Sequence, residues 1–405
     1  MSESSGEPVA TLAERPLSEL REQYRYDLFE DFLPFLDKHV IDHRYGGFMC
    51  NTDRSGNNIT TEKNAVYEGR GLWVYSFLHN NLAKEGRYLD VAHRSAAFVL
   101  AHLPEDGGFW PGSFTREGRP TDARRRDIYG GLFIANGLAE YSNVAGARYW
   151  DIAKAILVSH LALYDAPDYA YPVTSGLDIP AFAGVRVLGH WMVMLRLATQ
   201  MLQTASDPAI AAIADRCVSA ILDHHLNPEL GLMNEVLHHD LSRPTNGMEQ
   251  FSDVGHAIEA LWMVMFEAVR RKDEVLLARA AELFRRHVEV AWDDDCGGLF
   301  RSLQHVGSRT WNTDKFLWVH EEALIGSLFM LEHTADAWAR DWFDRVYRFV
   351  RRKFPLRPHG YALWMFAGDR QVTFEEEATR VENFHHPRHL MLNLLCLNRL
   401  IARGV

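Results

Sequence analysis

Gly46-Gly47-Phe48 is the first of a series of glycine turns, and the spacing of that series decides how this chain folds. Related turns, each with glycine before an aromatic or aliphatic residue, recur at Gly107-Gly108-Phe109, Gly231-Leu232, Gly297-Gly298-Leu299 and Gly360-Tyr361. The intervals are roughly 60 residues, except for one about twice as long, whose missing member would fall near Asp168-Tyr169-Ala170-Tyr171. Six units of about 60 residues therefore fill the chain.

Between the glycine turns, apolar residues recur every three to four positions, which is the period of an amphipathic helix. Twelve such segments follow one another, at residues 17–40, 63–83, 87–103, 127–143, 147–164, 185–204, 207–226, 250–271, 273–292, 316–333, 336–353 and 386–403. Each glycine turn opens a short apolar run, which predicts a small hairpin or extended loop between helices. The pattern predicts an all-α fold, an (α/α)6 barrel of six helical hairpins with short β-hairpin loops at the pocket end.

No linker rich in proline, glycine or serine interrupts the series of helices. We therefore expect a single domain over residues 16–405, preceded by a flexible N-terminal segment at residues 1–15. In a closed ring of helices the last helix packs beside the first, so residues that are remote in sequence meet around one central cavity.

The composition excludes several classes of partner. A net charge of -11 and a pI near 6.0 leave no basic surplus to attract nucleic acid or an anionic membrane. No apolar segment approaches the roughly 20 residues of a membrane span, and no charged start followed by an apolar run marks a secretion signal. The four cysteines are scattered without a Cys-x-x-Cys spacing, which together with these absences favours a cytoplasmic location.

Two histidine segments far apart in the chain are candidates for catalysis. The first is Gly255-His256-Ala257-Ile258-Glu259, where His256 and Glu259 share a helix face, and the second is Phe384-His385-His386-Pro387-Arg388. Pro387 suits a first helical turn, so His385 would lie at a helix start, where the dipole favours the neutral imidazole. Histidine exchanges protons near neutral pH. Structural histidines remain an alternative, whereas zinc would require further ligands that the sequence does not supply.

Two more segments combine residues that suit a polar organic substrate. Arg70 lies three residues after Tyr67, so a guanidinium could stabilise an oxyanion while the aromatic ring lines a pocket. Trp318 lies four residues before Glu322, and this pair would supply an apolar wall and a hydroxyl acceptor. The alternatives are a surface arginine over a core tryptophan, and a core tryptophan beside an exposed glutamate.

In order and separation, these segments resemble motifs of the N-acylglucosamine 2-epimerase superfamily, which includes N-acylglucosamine 2-epimerases, cellobiose 2-epimerases and mannose isomerases. The resemblance spans nearly the whole chain and rests on Glu68-Gly69-Arg70-Gly71-Leu72-Trp73, Asp127 to Phe133 with Gly137 to Tyr141, Gly255 to Glu259, Lys315 to Leu324, and Phe384 to Arg388. It implies an (α/α)6 barrel with a sugar pocket at its centre.

The resemblance also assigns roles to residues. It implies that His256 and His385 are the catalytic histidines and that Arg70 stabilises the oxyanion. Glu259 and Glu322 would hold the sugar and the bases, with Trp318 and Trp73 as apolar walls and His190 as a third active-site histidine. The complete predicted substrate-binding set is Glu259, Glu322, Trp318, Trp73, Tyr67, His190 and Arg388.

The chemistry of an open-chain reducing sugar agrees with these roles. Removal of the proton on carbon 2 gives an enediolate, whose negative charge needs a fixed donor such as Arg70. Return of the proton to the opposite face of carbon 2 gives the epimer, whereas delivery to carbon 1 gives the ketose. We expect an N-acylglucosamine 2-epimerase-like activity, with a mannose–fructose isomerase or a mannose or cellobiose 2-epimerase as alternatives. Neither cofactor nor metal is expected, and a homodimer is expected by analogy with related barrels.

Two other functional classes remain open at this stage. A glycoside hydrolase would need two opposed carboxylates, for which Asp293-Asp294-Asp295 is the candidate acidic cluster. A non-catalytic sugar-binding barrel would not need the histidines. The chain departs from the family pattern at three positions. Glu68 stands in place of glutamine, and Leu317 and Val319 replace the tryptophan and proline that often flank the position of Trp318. His386 and His389 are additional histidines, so either His385 or His386 could be the second base.

Overall fold

A computed structural model describes residues 11–121, 127–171, 184–374 and 381–404. Its helices are α1 (Leu17–Tyr26), α2 (Leu33–His39), α3 (Ala65–Asn81), α4 (Gly86–Leu100), α5 (Tyr129–Ala145), α6 (Arg148–Asp165), α7 (Leu188–Thr204), α8 (Pro208–Ser219), α9 (Val254–Arg271), α10 (Glu274–Ala291), α11 (Leu317–Thr334), α12 (Ala337–Lys353) and α13 (His385–Ala402). A π-helical stretch, Asp27–Phe32, joins α1 to α2, so these two form one continuous first helix. The described helices therefore follow the twelve predicted segments.

The helices form two concentric rings. Helices α3, α5, α7, α9, α11 and α13 make the inner ring, in which each helix packs against the next and α13 returns to α3. The outer helices α4, α6, α8, α10 and α12 each pack on the inner helix that precedes them, and α1 packs on α13. The (α/α)6 barrel and the contact between the first and last helices are both confirmed.

Burial follows the hydrophobic pattern of each ring. In α11 every residue from Leu317 to Glu332 is buried, because an inner helix has neighbours on all sides. Helix α12 buries only one face, and its arginines and aspartates lie on the other. An amphipathic helix of this kind suits the outer ring, where one side meets the core and the other meets water.

Short two-stranded sheets precede several inner helices. The antiparallel pairs are β1 (Thr11–Leu12) with β2 (Arg15–Pro16), β3 (Lys63–Asn64) with β4 (Ser113–Phe114), β5 (Arg186–Val187) with β8 (Val236–Leu237), β6 (Leu226–Asn227) with β7 (Leu232–Met233), β9 (Ser302–His305) with β10 (Thr310–Asn312), and β11 (Lys315–Phe316) with β12 (Ala367–Gly368). Strands β3, β5 and β11 each lead directly into an inner helix. The sheets that contain these three strands therefore lie at the N-terminal end of the inner ring.

Two of the glycine turns require glycine for the same two reasons. Gly47 and Gly298 have φ values of 79° and 80°, which L side chains rarely adopt. A Cβ atom on Gly47 would lie 2.2 Å from Oε2 of Glu68, and one on Gly298 would lie 2.4 Å from the ring of Phe349. Because glycine carries no side chain, the turn at Gly47 can approach the inner helix α3, and the turn at Gly298 can approach the outer helix α12.

A buried lysine holds each of these two turns. The Nζ atom of Lys63 lies 3.1 Å from Oδ2 of Asp42 and donates to the carbonyl of Gly46 at 2.6 Å. In the fifth unit, Nζ of Lys315 lies 2.9 Å from Oδ2 of Asp293 and donates to the carbonyl of Gly297. The ammonium group is fully enclosed in both units but is paired and hydrogen-bonded, which makes its burial tolerable. The same set of interactions, a buried lysine paired with an aspartate and bonded to a glycine carbonyl, therefore occurs in both units.

The predicted boundary after residue 15 falls within the first small sheet. Leu12 in β1 is fully buried, and the backbone N–H of Ala13 donates to Asp344 at 2.5 Å. Residues 11–15 therefore belong to the barrel, while residues 1–10 lie outside the described part of the chain. The turn that the repeat predicts near Asp168-Tyr169-Ala170-Tyr171 is described only as far as Tyr171. Among the described helices, none combines the length and the apolar character that crossing a membrane requires.

Candidate active site

The first turns of the inner helices surround a central cavity of about 910 Å³. Side chains from all six inner helices, α3, α5, α7, α9, α11 and α13, reach it, together with residues from the loops. The lining includes Tyr67, Arg70, Asp127, Tyr129, His256, Glu259, Arg301, Trp318, Glu382 and His385. Six of the predicted site residues therefore meet in one place, although they come from opposite ends of the chain.

His256 is fixed by two carboxylates. Asp253 caps α9 and accepts a hydrogen bond from the backbone N–H of His256 at 3.2 Å. The ring atom Nδ1 lies 2.9 Å from Oε1 of Glu235, which extends from the loop between β7 and β8. Burial lowers the pKa of His256, but the charges of Glu235 and Asp253 outweigh this effect and raise it to about 9. His256 is therefore held in its protonated form at neutral pH.

His385 has the opposite electrostatic setting. It is the first residue of α13, and its backbone N–H donates to Oε2 of Glu382 at 2.6 Å. The same carboxylate oxygen lies 3.2 Å from the ring atom Nδ1. Burial lowers the pKa of His385, and the charge of Glu382 offsets this only in part. At neutral pH the imidazole is uncharged, and its Nε2 atom can accept a proton.

Trp318 lies close to both histidines. The centroid of its ring is 5.8 Å from that of His256 and 5.5 Å from that of His385. The guanidinium of Arg301 lies over the indole, 5.6 Å from the ring centroid. The indole of Trp318, predicted as an apolar wall, thus lies next to both imidazoles.

Arg70 shares the carboxylate that orients His385. Its Nη1 atom donates to Oε1 of Glu382 at 3.1 Å. Its guanidinium is stacked between two rings, 4.3 Å from the centroid of Phe133 and 4.9 Å from that of Phe384. Stacking and a fixed carboxylate hold a planar cation in a single orientation at the cavity wall.

A buried ion cluster lies directly behind the wall. Nη2 of Arg388 donates to Oε1 of Glu259 at 2.6 Å and also donates to Glu322. Glu322 accepts a second hydrogen bond at 2.7 Å from Nε1 of Trp262. Burial raises the pKa of Glu322 to about 8. Of the three charged residues, Glu259 lines the cavity, whereas Glu322 and Arg388 do not.

Two other predicted contacts differ in the structure. Trp73 is buried beneath the cavity floor, where Nε1 donates to Gln200 at 2.8 Å and the ring packs on Phe384 at 5.6 Å. His190 is enclosed by aromatic rings, with Tyr129 as its nearest ring contact at 4.3 Å. Neither is among the residues that line the cavity, and the ring of His190 packs against that of Tyr129, which does line it.

The rings of the two adjacent histidines, His385 and His386, lie in different surroundings. The Nδ1 atom of His386 is hydrogen-bonded to Glu321, and its ring packs on Phe32 at 4.8 Å and on Trp364 at 4.8 Å. This places His386 against the first helix, in a small cavity that adjoins the central cavity at Trp318 and Glu382, but His386 does not line the central cavity itself. His385 is the histidine that faces the cavity.

Two groups of described residues could offer three ligand atoms to a metal ion. They are Glu321, His386 and His389, and Glu259, Glu322 and His385. In the second group the guanidinium of Arg388 already contacts both carboxyl groups, so a cation there would meet a fixed positive charge. In the first group the carboxylate of Glu321 faces both imidazoles, with Nδ1 of His389 at 3.6 Å.

Comparison with known proteins agrees with this geometry. The profile of the family described as N-acylglucosamine 2-epimerase (GlcNAc 2-epimerase) matches residues 46–388. The chain belongs to the N-acylglucosamine 2-epimerase family. The N-acylglucosamine 2-epimerase of Bos taurus is 26% identical over 394 residues, which cover 90% of this chain and 88% of that protein.

Solved structures show the same fold. Cellobiose 2-epimerase from Bacillus thermoamylovorans B4167 superposes with a TM-score of 0.77 at 16% identity and covers 95% of this chain and 100% of its own. A D-mannose isomerase superposes with a TM-score of 0.69 at 16% identity and covers 96% of this chain and 97% of its own.

Membership of this family makes the chain a sugar epimerase or isomerase. The alternative of a glycoside hydrolase gains no support from the acidic cluster. Asp293 is enclosed by Lys315 and by Arg370, whose Nε donates to it at 2.9 Å, and Asp294 and Asp295 point to solvent. None of the three lines the central cavity.

Sequence reasoning missed several residues of this family member's site. Glu382 lies three positions before His385, and this spacing could have suggested a contact between the two residues. Glu382, however, lies before the start of α13 and so outside the helical pattern. Glu235 and Arg301 come from loops and have no periodic signal. Asp127 and Tyr129 belong to a segment that resembles a family motif, but neither is among the predicted site residues; both line the cavity.

Proposed function

We propose that this protein is an N-acylglucosamine 2-epimerase, which interconverts N-acetylglucosamine and N-acetylmannosamine in their open-chain forms. The observation that carries the proposal is the pair His256 and His385. Both lie close to Trp318, each has Nδ1 against a carboxylate, and one is held protonated while the other is neutral. Opposed pKa values of this kind assign an acid and a base.

In the proposed reaction, Nε2 of His385 takes the proton from carbon 2 of the aldose. The bonding electrons move toward the carbonyl and form an enolate that carries the acetamido group on carbon 2, and its negative charge faces the guanidinium of Arg70. Protonated His256 then returns a proton to carbon 2 from the opposite face and collapses the enolate to the epimer. After turnover the two histidines have exchanged protonation states, and solvent exchange or the reverse reaction restores them.

Residues around the histidines would position the sugar. Trp318 offers an apolar face to the C–H bonds of the sugar, while Glu259 and Tyr67 offer polar edges to its hydroxyl groups. Glu322, Arg388, Trp73 and His190 would act from behind the wall, by fixing Glu259, Tyr129 and the cavity floor. No step in this scheme needs a cofactor or a metal ion.

The choice of substrate is supported by the comparison over nearly the whole chain with the bovine N-acylglucosamine 2-epimerase. The same acid, base and oxyanion donor could also serve a mannose–fructose isomerase or a mannose or cellobiose 2-epimerase. These activities differ in where the proton is returned and in which group occupies carbon 2.

Proton NMR in heavy water tests both the chemistry and the substrate. The protein would be incubated with N-acetylglucosamine, N-acetylmannosamine, mannose, glucose, fructose and cellobiose, and the resonance on carbon 2 followed. We expect deuterium at carbon 2 and the appearance of the epimer with the two N-acetyl sugars. A ketose from mannose, or exchange only with cellobiose, would replace the proposed substrate, and no exchange with any sugar would contradict the mechanism.

The proposal includes a cytoplasmic location and a homodimer. Three of the four cysteines are buried, which suits a reducing compartment. The dimer rests on analogy with related barrels. Light scattering coupled to size-exclusion chromatography tests it, with a mass of twice 46.4 kDa expected.

A further inference from the structure

A second, smaller cavity lies at the opposite end of the barrel from the candidate active site. Its volume is about 210 Å³, and residues from all six inner helices line it, toward the C-terminal ends of those helices. We call it the lower cavity. Its lining shares no residue with the central cavity. The catalytic scheme therefore gives it no role.

Arg196 is the unusual residue of the lower cavity. It belongs to α7 and is only 7% exposed, yet its Nη1 atom is buried without a hydrogen-bond partner. Three rings surround the guanidinium, with centroids 5.0 Å away for Phe266, 5.8 Å for Trp262 and 5.9 Å for Trp73. Ring faces attract a cation but do not accept its N–H groups in the way that an oxyanion does.

The other charged groups that line the lower cavity are already engaged. Oε1 of Glu140 accepts a hydrogen bond from Asn80 at 2.8 Å, and burial raises the pKa of this carboxyl. Arg399 donates to both oxygens of Glu332, at 2.6 and 2.7 Å. No carboxylate among the described residues forms an ion pair with Arg196. A buried cation without a counter-ion is costly, which points to an anion from outside the chain.

The walls restrict the chemistry of that anion. A planar guanidinium matches a carboxylate, which can accept two parallel hydrogen bonds. Apolar side chains cover much of the remaining surface, with Phe77, Phe266, Ile325, Phe329, Leu392 and Leu395 in the lining. The volume of about 210 Å³ is below the range of roughly 300–1,000 Å³ that is typical of sites for drug-sized ligands.

We propose that the lower cavity is a binding site for a small organic carboxylate with an apolar body, and that Arg196 binds its carboxylate group. The apolar body would pack against Phe266 and Phe329. This site is separate from the sugar site and does not depend on the proposed epimerase activity.

Thermal unfolding and calorimetric titration of the intact protein test the proposal with benzoate as the probe. Benzamide serves as the neutral control of nearly the same shape, and inorganic phosphate as an anion without an apolar body. We expect benzoate to raise Tm progressively with concentration, because a ligand that binds only the folded state stabilises it. Benzamide and phosphate should produce no comparable shift. Equal shifts with benzoate and benzamide, equal shifts with phosphate, or no shift with benzoate would each overturn the proposal.

Two variants locate the site. Arg196→Met removes the unpaired charge but keeps an unbranched apolar side chain, so we expect an unchanged or higher Tm without ligand and complete loss of the benzoate shift. Arg399→Gln removes a positive charge from the same cavity and should keep most of the shift. Benzoate binding that persists in Arg196→Met, or that is lost only in Arg399→Gln, would contradict the assignment to Arg196. If Arg196→Met does not fold, the comparison of benzoate with benzamide on the unmodified protein still decides whether the site exists.

Discussion

Glu382 lies 3.2 Å from Nδ1 of His385 and accepts the backbone N–H of the same residue at 2.6 Å. One carboxylate therefore fixes both the start of α13 and the ring of its first residue. Its other oxygen accepts from Arg70 at 3.1 Å. The proposed base and the proposed oxyanion donor are thus held by a common partner, so their relative positions are set together.

Replacing that partner should impair both groups. We expect Glu382→Gln to lower kcat by about 100-fold, because the neutral amide no longer fixes the imidazole or pairs with Arg70. Since Glu382 raises the pKa of His385, the acidic limb of the rate profile should also move to lower pH. Steady-state kinetics across pH check both effects. An unaltered acidic limb would mean that Glu382 has a structural role only.

Arg388 should contribute strongly to stability, because it pairs with Glu259 and hydrogen-bonds to Glu322 in a fully buried cluster. Arg388→Met should lower the free energy of unfolding by about 3–5 kcal/mol near neutral pH. Burial raises the pKa of Glu259, but the charge of Arg388 lowers it, so without the guanidinium this buried carboxyl is costly to ionise in the folded state. The loss of stability should therefore grow as pH rises above the ordinary glutamate pKa of about 4.3, where the unfolded chain ionises freely. Chemical unfolding at several pH values measures it, and a loss independent of pH would contradict this explanation.

The sequence could predict the residues at the cavity because they share a position in the repeat. Tyr67, Arg70, His256, Trp318 and His385 all lie in the first two turns of inner helices, at the end where the turns and hairpins gather. Once six helical pairs close into a ring, these turns must face one cavity. The repeat spacing therefore carries most of the information about the site.

The sequence could not predict how far along each inner helix the side chains still reach the cavity. Trp73 lies one turn beyond Arg70 on the same helix, but the ring of Phe384 packs between that turn and the cavity. Arg388 similarly lies one turn beyond His385. Whether a side chain reaches the cavity depends on which ring from another helix forms the floor, and helical periodicity contains no information about that. Glu235 could not be predicted because it comes from a loop with no helical spacing.

The two adjacent histidines at the start of α13 should respond differently to substitution. His385→Ala should reduce turnover by at least about 100-fold with little change in Tm, because it removes the proposed base from the cavity wall. His386→Ala should keep most of the activity of the folded protein. It should lower the free energy of unfolding by about 1–3 kcal/mol, because Glu321 loses a buried hydrogen-bond partner. Loss of activity in His386→Ala alone would reverse the assignment.

The opposed pKa shifts of the two histidines predict a bell-shaped dependence of kcat/KM on pH. Activity should fall below the usual histidine value of about 6.5, where the neutral His385 gains a proton, since burial lowers its pKa. It should fall again near pH 9, where His256 loses the proton that Glu235 and Asp253 stabilise.

Glu235→Gln provides the matched variant for the alkaline limb. Removing this charge lowers the pKa of His256, so the alkaline limb should move toward neutral pH while the acidic limb stays in place. Rates measured with the substrate identified by NMR, in buffers of constant ionic strength, check both limbs. An alkaline limb that does not move in Glu235→Gln would show that His256 is not the group that must be protonated.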